Sequence, residues 1–166
     1  MRYNLLTRWF HHIMAVGFLW MLLTAIAHKW FPDTAFESFF WPTHKLVGTS
    51  LFILATIRIL WTIMTFSSRP TSYSGMATFG HFILYCLMLI VPGLALLRQY
   101  GSGRELELLG FTIFEGSLTR DVEWMVQAGN MLHSNLAWLF FILIAGHIIM
   151  AIHHSRTYKF MINRIK

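Results

Sequence analysis

The sequence predicts an all-α integral membrane protein, a bundle of four transmembrane helices with both termini in the cytoplasm. Three observations lead there. Of 166 residues, 56% are apolar and only 12% are charged, against about a quarter charged in a soluble domain. The charge deficit runs along the whole chain as four separate apolar stretches. The basic residues, finally, are shared unevenly between the segments that join those stretches.

The four runs cover residues 9–27, 46–66, 76–97 and 131–152, with Arg58 as the charge within the second and none in the third or fourth. Each is close to the ~20 residues a helix needs to cross ~30 Å of hydrocarbon. Helices are the expected solution because lipid offers open backbone groups no partner. A β-barrel would instead alternate in segments of about ten residues. The first run ends Ala25-Ile26-Ala27, in the manner of a signal-peptidase site. It is nevertheless long enough to span, and His11 and His12 are foreign to a signal core, so it is read as the first span. Residues 1–166 form one membrane domain. The single cysteine, Cys86, allows no disulfide within the chain, and no Cys-x-x-Cys-His attachment site exists. Pro92-Gly93 is expected to kink the third helix. The apolar stretch 106–114, in the long connection 101–129, suits lying on the membrane or covering a site.

Four spans put both termini on one side. That side holds Arg2, Arg8, Arg58, Arg69, Arg156, Lys159, Arg164 and Lys166 and no acid. The other side holds Lys29, Lys45, Arg98, Arg104 and Arg120 together with all seven acids. Lys and Arg decide orientation, so the termini are assigned to the cytoplasm. The basic tail suits an anionic lipid surface, and no nucleic-acid partner is expected.

Nine histidines, at 11, 12, 28, 44, 81, 133, 147, 153 and 154, stand out in so apolar a chain. An ionisable group within a span is costly and marks a functional site by default. His133 and His147 are fourteen residues apart on the fourth helix. That spacing leaves them within about 40° of one face and roughly 21 Å apart along the axis. Two stacked haems need such an arrangement, with a second axial ligand for each iron at matching depth. His11, just inside span one from the cytoplasmic side, matches His147. His44, opening span two from the outer side, matches His133. Bis-histidine ligation fills both axial positions and favours electron transfer over oxygen binding. A zinc or copper site would want clustered histidines, carboxylates or thiolates, and carboxylates are absent from the spans.

Four stretches then resemble the bacterial cytochrome b561 family across nearly the whole chain. They are Arg8-Trp-Phe-His-His-Ile-Met-Ala15; His44-Lys-Leu-Val-Gly48 leading to Arg58; Gly80-His-Phe-Ile-Leu-Tyr85 leading to Pro92-Gly93; and His133 through His147 to His153-His154. The first stretch usually reads Arg-x-x-His-Trp; here His12 takes the tryptophan position, and register favours His11 as ligand. The resemblance implies two non-covalent haem b groups, an inner one on His11 and His147 and an outer one on His44 and His133, in a multi-pass protein of the bacterial inner membrane.

Other residues group around these. Gly48, one turn from His44, leaves room for a flat porphyrin or serves helix packing. Arg58 either pairs with a propionate of the inner haem or snorkels to the headgroups, and Lys45 has the same choice at the outer haem. His81 is the rival inner ligand or a supporting group. His154, seven residues after His147, is a candidate quinone contact or an interfacial histidine. The resemblance further implies electron transfer between the periplasmic side and the quinone pool, with superoxide oxidation and ubiquinone reduction as its specific form. The alternative is a non-enzymatic haem-b anchor that relays electrons for a dehydrogenase or hydrogenase.

Reporter fusions check the orientation: a cytoplasmic signal at Lys166 and a periplasmic one near Gly103 are expected. A periplasmic signal at Lys166 overturns the assignment and its matching of depths.

Overall fold

The computed structural model describes residues 5–65, 67 and 75–157, with side chains to residue 153. Arg2, Arg69, Lys159, Arg164 and Lys166 of the orientation count lie outside the described residues, as do the side chains of His154 and Arg156.

Five helices follow in order: α1 (Leu5–Trp30), α2 (Ala35–Phe40), α3 (His44–Met64), α4 (Gly75–Gly101) and α5 (Glu123–Thr157). α2 leads through a 3-10 turn, Trp41–Thr43, directly into α3. The four long helical segments, with α2 and the turn prefixed to α3, are each long and apolar enough to cross a membrane. The helices overrun the apolar runs read from sequence by several residues at most ends. Interfacial polar residues continue the backbone hydrogen bonding where hydrophobicity has already fallen. α4 is assigned as one continuous helix through Pro92, although proline has no N–H for the carbonyl one turn back.

Two Trp–Thr hydrogen bonds tie the first helix to the second span. Near one end, Trp20 Nε1 donates to Thr43 Oγ1 at 2.8 Å. Near the other, Trp61 Nε1 donates to Thr7 Oγ1 at 3.2 Å. Where lipid supplies no competing partner, such bonds fix the relative depth of two helices. The core between the helices is small: Met14, Leu51, Ala55, Leu87, Met88, Val91 and Phe140, with Phe18 packed against it. Phe18 meets Phe140 edge to face, ring centres 5.1 Å apart at 88°. Most other large apolar side chains, such as Leu60, Ile63, Ile142 and Ile149, are exposed, as expected of surfaces that face acyl chains.

Outside the four apolar runs, α2 lies between the first two, and the 101–129 connection has structure of its own. The connection holds an antiparallel hairpin, β1 (Leu106–Leu108) and β2 (Phe111–Phe114). Its two-residue turn, Leu109-Gly110, has both φ angles positive, the pattern of a tight hairpin turn. Leu106 is buried, whereas Leu109 and Phe111 are about three-quarters exposed.

α4 and α5 approach closely at Gly129. A Cβ there would meet Arg98 Cβ at 2.4 Å and the Leu94 carbonyl at 2.8 Å. The absent side chain lets α5 come against the end of α4 that carries Arg98. Gly129→Val is expected to cost about 1–3 kcal/mol through overpacking, seen as a lower thermal midpoint in detergent. An unchanged midpoint would contradict this close approach.

Candidate functional site

Four half-buried histidines from three helices come together as two pairs. His11, in the second turn of α1, faces His147 of α5 with ring centres 6.4 Å apart. His44, the first residue of α3, faces His133 of α5 at 6.3 Å. The ring planes cross at 49° in the first pair and 87° in the second. Helical rise puts the two pairs roughly 21 Å apart along α5.

The spacing can be tested against a bis-histidine iron. Two metal–imidazole bonds of about 2 Å, plus the distance from each nitrogen to its ring centre, come to roughly 6 Å between centres. Both pairs meet that requirement. Among the described residues no group of three or more His, Cys, Asp or Glu could hold a bare metal ion. A two-ligand site fits a cofactor that brings the remaining ligands itself, as a porphyrin does.

Each pair has a guanidinium reaching a residue one helical turn from one of its histidines. Arg58 reaches Met14, three residues after His11, and Arg98 Nη1 donates to Asn130 Oδ1 at 3.2 Å, three residues before His133. Arg58 reaches Met14 Sδ at 3.8 Å and lies 5.7 Å from the Tyr85 ring centre. Its Nε is buried with no hydrogen-bond partner among the described residues, and so are Arg8 Nε and His11 Nδ1. A buried N–H without a partner is expensive. Guanidinium donors of this kind suit a carboxylate, such as a haem propionate.

His133 and His44 are each anchored through Nδ1. His133 Nδ1 donates to the Val91 carbonyl at 2.8 Å. His44 Nδ1 lies 2.7 Å from Thr24 Oγ1. An N–H at Nδ1 leaves Nε2 as the nitrogen with a lone pair.

The remaining candidates are placed as follows. His12 is exposed, 5.7 Å edge-on from His11, and its Nδ1 donates to the Arg8 carbonyl of its own helix. His81 is exposed, with Nδ1 on the Ala77 carbonyl and its ring 5.3 Å from His147. Gly48 faces α1, and a Cβ there would come within 3.2 Å of Met21 Cε. Lys45 is exposed beside His44. Lys29 sits against the Trp30 and Trp138 rings, and Arg120 against Tyr100. His28 pairs with Glu37 at 2.7 Å and stacks on Trp41, which in turn touches His44.

Sequence reasoning passed over Thr24, Arg8 and Arg98. Thr24 looks like any helix threonine, and only the packing of α1 on α3 brings it to His44. Arg98 had a weak signal, as the basic residue at the outer end of the third span. A cavity of about 160 Å³ lies at that end, lined by Arg98, Ser102, Arg104, Val126 and Asn130. A shallow, open groove runs along α1 by Leu5, Arg8, Trp9 and His12.

A sequence model of the family described as prokaryotic cytochrome b561 matches residues 2–164. Cytochrome b561 homolog 2 of Escherichia coli strain K12 is 27% identical over 165 residues, covering 92% of this chain and 84% of that protein.

Proposed function

The chain belongs to the prokaryotic cytochrome b561 family, and on that footing we propose that it holds two haem b groups and passes electrons between the outer surface and membrane quinone. Family membership and four apolar helices make it a multi-pass membrane protein of the bacterial inner membrane, with haem b electron transfer as its activity. The observation that carries the finer reading is the pair of histidine couples at 6.4 and 6.3 Å, at opposite ends of α5.

Bound at these couples, haem supplies one-electron ferric–ferrous chemistry. His11 and His147 hold the inner group, and His44 and His133 the outer. Arg58 and Arg8 supply donors for the inner propionates, and Arg98 and Lys45 for the outer. Gly48 gives a flat ring room beside α3 where the flexible end of Met21 yields.

The specific activity we propose is superoxide oxidation coupled to quinone reduction. Superoxide leaves as dioxygen after giving up one electron; two such electrons and two protons convert a quinone to a quinol. Support at the outer end comes from Arg98 and Arg104, which line a cavity of about 160 Å³ together with Asn130, one helical turn before His133. At the inner end, the surface of α1 carrying Arg8, Trp9 and His12 offers polar groups to a quinone. His154, seven residues beyond His147, lies at the same end.

Haem-to-protein ratios test the ligands. A ratio near two is expected in the parent and near one in His133→Ala and in His147→Ala, with His12→Ala keeping both. Full haem content in both ligand variants would sink the assignment. The donor is tested separately. Neutralising Lys45 and Arg98 together should slow haem reduction by superoxide by roughly tenfold, and added salt should slow the parent. Haem reduction indifferent to charge and salt would favour the relay serving a dehydrogenase or hydrogenase partner.

A further inference from the structure

Thr24 is fully buried, at 0% exposure, in the C-terminal part of α1. Its oxygen lies 2.7 Å from the carbonyl of Met21 and 2.7 Å from Nδ1 of His44. A threonine hydroxyl has one proton and two lone pairs. The Met21 carbonyl can only accept, so the hydroxyl gives its proton there and takes the proton of His44 with a lone pair. The result is a directed chain, from His44 Nδ1–H to Thr24 Oγ1 to Met21 O. It holds the His44 proton on Nδ1 and leaves the lone pair on Nε2.

We propose that Thr24 is a positioning residue for the outer haem, fixing the tautomer and rotation of His44 and strengthening its Nε2 as a ligand. The proposal rests on the reading of His44 as an outer haem ligand. A partner on the far nitrogen raises ligand basicity and orients the ring, and such hydrogen bonding is one of the protein's means of setting a haem potential. His133 is anchored in the same sense by the Val91 carbonyl, which no side-chain substitution removes. Thr24 is therefore the adjustable member of the outer pair. The inner pair differs: His11 Nδ1 is buried with no partner among the described residues. The anchor thus acts on one haem and not on the other.

Thr24→Val keeps the branched shape and removes the acceptor; Thr24→Ser keeps the hydroxyl. In the purified holoprotein, Thr24→Val should retain two haems. The midpoint potential of the outer haem should rise and its low-spin ferric EPR signal should shift. The inner haem should keep both values, and Thr24→Ser should restore the outer ones. Loss of the outer haem in Thr24→Val with recovery in Thr24→Ser would also support the anchor. Loss in both variants would reduce Thr24 to packing and overturn the proposal. So would potentials and EPR signals in Thr24→Val identical to the parent. His44→Ala separates the levels. If it removes one haem, an unchanged Thr24→Val counts against Thr24 alone; if it leaves two, the ligation reading fails and the proposal with it.

Discussion

A polar side chain inside hydrocarbon has nothing to bond with except the protein, and the bundle is arranged around that requirement. Trp20 with Thr43 and Trp61 with Thr7 match donor to acceptor between the first two spans. Thr24, His44 and the Met21 carbonyl close a chain of two bonds, and His133 takes the Val91 carbonyl. Partners are missing, among the described residues, for Arg8 Nε, His11 Nδ1 and Arg58 Nε. These three come from the half of the bundle that holds His11 and His147. The matched groups fix where the helices stand. The unmatched ones mark where the protein is built to meet something other than itself.

The depth of each histidine pair follows from helix direction. α5 provides one histidine of each pair, and fourteen residues on one helix set the distance between the levels. α1 and α3 run in opposite senses, and each offers a histidine near its own N-terminus: His11 in one, His44 as the first residue of the other. Early positions in antiparallel helices lie at opposite faces of the membrane. No long loop is needed to carry a ligand across. The Trp–Thr ties then prevent α1 and α3 from sliding past one another and taking the pairs out of level.

This explains which features could be read in the sequence. Span number, the common face of His133 and His147, and the depths of His11 and His44 depend on periodicity and rise, which are local. The choice of His11 over His12 rests instead on the register of the family resemblance, and the two rings do differ in exposure. Thr24 and Arg98 are different, because their importance lies in contacts between helices distant in sequence. A threonine in an apolar run is ordinary until α3 places a histidine beside it. Gly129 reads as one more small residue until the approach of Arg98 gives it a reason. The hairpin at 106–114 was hidden because its strands are only three and four residues long, too short to show alternation, and its turn carries Leu109 at a φ normally left to Gly or Asn.

Phe140 stands seven residues from His133 and seven from His147, about 10 Å along the axis from each, and it closes edge-on against Phe18. Met14, Leu51, Leu87 and Met88 lie around it, with Tyr85 packed against the same cluster. An electron passing from one level to the other without a proton would carry net charge across this layer. Such transfer is electrogenic: it moves negative charge without a compensating cation. In the proposed orientation an inward electron climbs the membrane voltage, at about 2.3 kcal/mol per 100 mV for the full thickness. The acceptor must then exceed the donor in potential by more than the share of that voltage lying between the two levels. Under the proposed haem pairs and orientation, an energised membrane would act as a brake on electron flow toward the cytoplasm.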